Sequence, residues 1–252
     1  MITVHVAPDR LHAGQFAAAL VMQLVRAKPS AVIGVATGST PETVYQSLTQ
    51  MSSPDELSAV RAFALDEYVG LDPSSSQSYR SVLDNGFVRP LGIDTERLMV
   101  PNGMIDEKLA AAEYDRAIVM AGGIDLQILG IGANGHVGFN EPGTPWDTGT
   151  RVQQLSERTR ADNARFFASV AEVPTHALTQ GIATIMNARH LVLLAFGLAK
   201  ADAVAAALLG PQDVSVPASV VQKHPMVTVV LDEDAASGLV DLPAFRMGVL
   251  PD

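Results

Sequence analysis

Six short runs of apolar, largely β-branched residues, separated by stretches with helical spacing, constrain this chain more than any other feature. The runs are residues 2–6, 31–36, 61–65, 124–129, 190–196 and 226–231. Helical spacing marks residues 8–26, 41–50, 106–120, 175–186 and 199–209. Run 124–129 alternates only weakly and is mostly apolar, as expected of a strand covered on both faces of a parallel sheet. Strands that alternate with helices in this way form βαβ units. The reading is an α/β fold with one open, mostly parallel sheet and helices on both faces, a modified Rossmann-like architecture.

At 252 residues the chain is long enough for a sizeable core. Aromatic residues make up only 5%, so that core must come mainly from Ala, Val, Leu and Ile. No composition shift, linker or repeat divides the chain, so one domain over residues 1–252 is expected. A net charge of -10 argues against nucleic acid and anionic membranes as partners, because both reward positive fields. The absence of cysteine excludes disulfides and thiolate chemistry. Residues 1–10 do not read as a secretory signal and no run of 18 apolar residues occurs, so a cytoplasmic location is expected.

Ligands of open α/β sheets bind beyond the carboxyl ends of the strands, so the segments just after the apolar runs are the candidate sites. After 124–129 comes GIGANGHVGFNEPG, residues 130–143, with His136 and Glu141 on a glycine-rich turn. Imidazole is the usual proton carrier near neutrality, and a nearby carboxylate can orient its ring. The other readings are a structural histidine or a metal ligand. The second of these lacks a local second histidine or cysteine.

Residues 34–41, GVATGSTP, end a strand and open a helix whose N–H groups, with the hydroxyls of Thr37, Ser39 and Thr40, suit a phosphate. The same hydroxyls could simply cap the helix. The turn matches neither a Walker loop nor a dinucleotide GxGxxG. Residues 65–71, LDEYVGL, place Asp66 and Glu67 on opposite sides of an extended segment, so one can do chemistry while the other is structural or solvated. Arg165 and Lys200 are candidates to neutralise phosphate in an acidic protein, or else surface ion-pair partners. Residues 144–154 have no clear period and read as a mobile flap or an ordinary surface loop.

Taken together, ATGSTP, LDEYVGL, QSY, GIGANGHVGFNEPG, TRADNARFF and HPMVTVVLDEDAA occur in an order that resembles the glucosamine-6-phosphate deaminases, from about residue 2 to about residue 236. The sister 6-phosphogluconolactonases share the phosphate turn but typically carry a GDGHTASLFP-like run where this chain has GANGHVGFNEP. The resemblance implies conversion of D-glucosamine 6-phosphate and water to D-fructose 6-phosphate and ammonia, with no cofactor and no metal. It implies Asp66 as the base that moves a proton between C2 and C1. It implies His136, helped by Asn134 and Glu141, as the group that opens the sugar ring. Gly38, Ser39 and Thr40, with Arg165 and Lys200, are implied as the phosphate grip.

Some positions depart from the family pattern. Position 134 is Asn where some members have Asp, and residues 72–77 lack a common His-Pro. Gln153 stands where allosteric hexameric members carry a basic residue, and their C-terminal extension is mostly missing, so no activation by N-acetylglucosamine 6-phosphate is expected. The expected partner is a small sugar phosphate, with a homo-oligomer possible. The competing readings are a lactonase-like sugar-phosphate hydrolase and a non-catalytic sugar-phosphate sensor of the same fold.

Overall fold

The structure is a computed structural model that describes residues 1–53 and 55–239 and the strand Arg246–Met247. In chain order its elements are β1 (Ile2–Ala7), α1 (Arg10–Ala27), β2 (Val32–Val35), α2 (Ser39–Met51), β3 (Arg61–Ala64), β4 (Asp66–Tyr68), α3 (Tyr79–Leu83), β5 (Leu98–Met99), α4 (Glu107–Met120) and β6 (Leu126–Gly130). They continue with β7 (Arg151–Gln154), α5 (Glu157–Asn163), β8 (His176–Thr179), α6 (Ile182–Met186), β9 (Leu191–Ala195), α7 (Ala201–Leu208), β10 (Val227–Asp232), α8 (Glu233–Ala236) and β11 (Arg246–Met247).

Eight strands form one sheet in the order β11-β1-β10-β9-β6-β2-β3-β5, and every pairing in it is parallel. Burial on both faces explains the apolar runs. In β9 Leu191, Leu193 and Ala195 enter one core, while Val192 and Leu194 enter the other. This is the two-residue period of a strand serving two layers. The first core is closed by Tyr114 and Ile118 of α4 and by Val204 and Ala207 of α7. The second is closed by Phe16, Val21 and Val25 of α1 and by Val44 and Leu48 of α2. Asp9 caps α1 by accepting from the N–H groups of Leu11 and His12, which stabilises such a helix by about 1 kcal/mol.

Two expectations need correction. Residues 175–186 do not form one helix; they split into β8 and α6. β8 pairs antiparallel with β4 on one side and β7 on the other, giving a second, three-stranded sheet. Two flanking ladders outweigh the helical spacing of so short a segment. Residues 144–154 are a loop only as far as residue 150. They end in β7, and Asp115 of α4 accepts from both the N–H and the hydroxyl of Thr150.

Candidate active site

Four adjacent strands of the large sheet, β9, β6, β2 and β3, lead at their carboxyl ends into the four stretches singled out in the sequence. Lys200 lies beyond β9, His136 beyond β6, Gly38 beyond β2 and Asp66 beyond β3. Because the strands are parallel, all four arrive at one edge, and three strand spacings separate the outermost two by about 14 Å.

At the end of β2, the phenol of Tyr45 accepts from the N–H of Ala36 and donates to its carbonyl, which fixes the strand exit. Gly38 then takes φ 104°, a conformation that favours glycine, and stands at the head of α2 without any side-chain cap. Uncapped N–H groups at the start of a 13-residue helix form an anion site. A cavity of about 730 Å³ opens there, with Gly38, Ser39, Tyr68, Tyr79 and Arg165 on its wall; Thr40 is not part of that wall. The Arg165 guanidinium lies over the Phe166 ring at 4.7 Å, and neither Arg165 nor Lys200 forms an ion pair among the described residues.

At the end of β3 the two carboxylates point apart. Glu67 is 4% exposed and accepts from the N–H groups of Tyr68, Tyr79 and Arg80, so it anchors the first turn of α3. Burial pushes its pKa up while those three N–H groups hold it down. Asp66 is 6% exposed, and its carboxylate has no hydrogen-bond or ion-pair partner among the described residues. Burial, with the neighbouring Glu67 charge second, pushes its pKa up to about 8. Its charge is felt by Tyr68 and Tyr79, both on the cavity wall, and the Tyr79 hydroxyl donates to that of Tyr68 at 3.3 Å.

The loop after β6 bends back so closely that a Cβ at Gly132 would fall within the His136 ring. Phe139 N–H donates to the Thr179 hydroxyl, and Thr179 is the register partner of Asp66, so the loop is clamped beside the exit of β3. Buried Asn140 adds bonds to the carbonyls of Val137 and Gln180 and accepts from Arg151. His136 Nδ1 lies 3.9 Å from Glu141 Oε2, too far for a hydrogen bond. Asn134 closes that gap: its Oδ1 accepts from His136 Nδ1 at 2.7 Å and its Nδ2 donates to Glu141 Oε2 at 2.7 Å. The other carboxylate oxygen, Oε1, accepts from the Thr159 hydroxyl at 2.6 Å. Burial lowers the His136 pKa, the Glu141 charge opposes this, and Lys200 lowers it further. Burial lowers Lys200 as well, and Asp162, Arg158 and Arg165 are its charged neighbours.

The geometry therefore gathers Gly38, Ser39 and Arg165 on one cavity, and Asn134, His136 and Glu141 in one hydrogen-bond chain. Lys200 stands electrostatically between them. Sequence reading missed Tyr68 and Tyr79 on the wall, although Tyr68, two residues beyond Asp66 on an extended segment, shares its face. Thr159 gave no signal at all. A second cavity of about 700 Å³ is lined by Glu67, Arg80, Asp84 and Arg89, among others. Its cations are already engaged, Arg80 by the carbonyls of Thr95 and Leu98 and Arg89 by Asp84, so it offers no grip for phosphate.

These features place the chain in the class of open α/β proteins with a candidate ligand site at the carboxyl ends of adjacent strands. More narrowly, it belongs to the glucosamine-6-phosphate isomerase/6-phosphogluconolactonase family, whose model it matches over residues 10–230. It is 47% identical over 258 residues to a glucosamine-6-phosphate deaminase of Bifidobacterium longum, covering 98% of this chain and 96% of that protein. The solved structure of a monomeric glucosamine-6-phosphate deaminase superposes with a TM-score of 0.90 at 38% identity, covering 94% of this chain and 99% of that one. A 6-phosphogluconolactonase of Trypanosoma cruzi, at 18% identity, a TM-score of 0.77 and coverage of 96% and 98%, shares the fold alone.

Proposed function

We propose that the protein is an aldose-ketose isomerising deaminase that converts D-glucosamine 6-phosphate and water to D-fructose 6-phosphate and ammonia. The observation that carries this reading is the state of Asp66, a buried carboxylate without a cation beside it whose pKa is pushed up to about 8. Such a group gains most from a substrate that brings a positive charge, which an amino sugar does and a lactone does not. The deaminase relatives support the same choice.

In this reading the phosphate sits on the N–H groups of Gly38, Ser39 and Thr40, with Arg165 and Lys200 supplying charge. Binding energy from that unreacting end aligns C1 and C2. His136, its Nδ1 proton given to Asn134, presents a free Nε2 that takes the proton of the anomeric hydroxyl and returns one to the ring oxygen, opening the pyranose. Asp66, ionised beside the cationic amine, removes the C2 proton while one ammonium proton passes to O1 to give an enolamine, and then delivers its proton to C1, forming the C2 iminium. Water adds at C2, the C–N bond breaks and ammonia leaves. The sequence of steps is redox-neutral and asks for no redox cofactor.

Residues 1–252 act as one domain in the cytoplasm on this reading. Lack of activation by N-acetylglucosamine 6-phosphate is supported by Arg151, whose guanidinium is engaged by Asn140, Thr144 and Gln153. The test is to incubate the purified protein with glucosamine 6-phosphate and measure ammonia and fructose 6-phosphate together. Equal amounts of both are expected. Sugar-phosphate binding without either product would overturn the enzyme reading in favour of a sensor.

A further inference from the structure

We infer that Thr159 is a positioning residue that ties the segment carrying Arg165 to the His136 relay, so that the phosphate side and the ring-opening side are set together. The inference rests on the deaminase reading for its kinetic consequences and on the hydrogen bonds alone for its structural ones.

Thr159 is the third residue of α5 and is 8% exposed. A threonine inside a helix can turn its hydroxyl to solvent or back to a carbonyl of the preceding turn. Here the hydroxyl reaches across to Glu141, 18 residues away in sequence. A carboxylate can only accept, so the Thr159 proton points to Glu141 Oε1. Ser156, the cap of α5, accepts from Thr159 N–H at 3.1 Å, which leaves its own proton for the Thr159 oxygen at 2.8 Å.

These bonds hold Glu141 in place, and the carboxylate, which can only accept, sets the direction of the others in the chain. Glu141 Oε2 must accept from the Asn134 amide nitrogen, so the amide oxygen faces His136. That oxygen can only accept, so the imidazole proton sits on Nδ1 and Nε2 is left free for substrate. A hydroxyl in the first turn of α5 thus reaches the tautomer of a histidine on another loop. The same helix carries Arg158 and Asp162, which act on both His136 and Lys200, and leads directly to Arg165 on the cavity wall. One short element touches both halves of the site.

The experiment compares Thr159→Val, which keeps the shape and removes the hydroxyl, with Thr159→Ser, which keeps the hydroxyl. Thr159→Val is expected to lower kcat on glucosamine 6-phosphate on the order of 10- to 100-fold. It should also move the histidine limb of kcat/KM to lower pH, because the Glu141 charge that raises His136 is no longer held in place. Thr159→Ser should retain both. In a double-mutant cycle, Thr159→Val added to Glu141→Gln should cost nothing further, since one acts through the other.

Wild-type kcat and pH profile in Thr159→Val, equal damage in Thr159→Ser, or additive losses in the cycle would each overturn the role. ¹⁵N spectra of His136 give a reading that needs no turnover: the Nδ1–H tautomer in the wild type and a tautomer mixture in Thr159→Val. An unchanged tautomer overturns the inference even if the protein releases no ammonia, whereas a wild type that releases none while the tautomer shifts overturns only the deaminase reading.

Discussion

Asn134 stands between His136 and Glu141, accepting from the ring at 2.7 Å and donating to the carboxylate at 2.7 Å, so the two ionisable groups are hydrogen-bonded only through a neutral amide. The arrangement fixes the tautomer without placing a full negative charge against the ring. The imidazole, already lowered by burial, therefore stays neutral and able to accept a proton near neutral pH.

Asn134→Asp should reverse that balance. A carboxylate against Nδ1 favours the imidazolium, so the His136 pKa should rise and the acid limb of the kcat/KM profile should move to higher pH. NMR titration of His136 beside the rate profile checks this. A limb that stays in place would show that the amide is not the group tuning the ring.

Asp66→Asn should lower turnover by on the order of 10²- to 10⁴-fold while leaving phosphate-dependent binding nearly intact. Calorimetry with fructose 6-phosphate and single-turnover ammonia release separate the two effects. Normal turnover would remove Asp66 from the role of base.

The same substitution carries a stability signature. An acid whose pKa rises from 3.8 unfolded to about 8 folded binds its proton more tightly in the native state. Its contribution is therefore fully present below the unfolded value and is lost as pH climbs toward the folded one. The wild type should lose thermal stability between about pH 4 and about pH 8 from this group, and Asp66→Asn should lose less over that range. Melting curves across the interval decide it. Parallel pH dependence in the two proteins would contradict the burial of an ionisable Asp66.

Gly132→Ala should displace the His136 ring, since the added methyl would occupy its place. A shift of about 1 Å at the ring is expected to cost on the order of 10²-fold in kcat for the cyclic substrate. An open-chain substrate analogue should be much less affected. Equal loss on both would point to a general collapse of the loop and not to ring opening.

Glu67→Ala leaves three N–H groups of the Tyr68–Arg80 region without their acceptor. Each unsatisfied buried donor costs about 1–3 kcal/mol, so a destabilisation of about 3 kcal/mol or more is expected from denaturant titration. Activity should fall with the order of Tyr79. A neutral effect on stability would mean that water replaces the carboxylate.

Much of the large sheet is legible in the residues themselves. Six runs become six parallel strands, and in Leu191–Ala195 burial on two faces writes itself as uninterrupted apolar sequence. β8 is not legible: its four residues are held by ladders to residues 66 and 151, and partners so distant leave no local period. In the candidate site, His136, Glu141 and the opposed directions of Asp66 and Glu67 can be read from spacing. The interposed amide, the bond from Thr159 and the place of Tyr79 depend on how separate loops meet. No window of sequence holds both ends of those contacts.

The pairing of β1 with β10 sets Ile2 against Val227, so in a chain still being synthesised β1 waits some 225 residues for that ladder partner to emerge. At ordinary elongation rates that interval is about 10 to 45 s. β2, β3, β6 and β9, with every segment that builds the site, are all made within it. The pocket side of the sheet can therefore take shape on the ribosome while β1 waits, an apolar segment held only by its own helix, and a chaperone that covers residues 2–7 would protect the nascent protein without touching its ligand site.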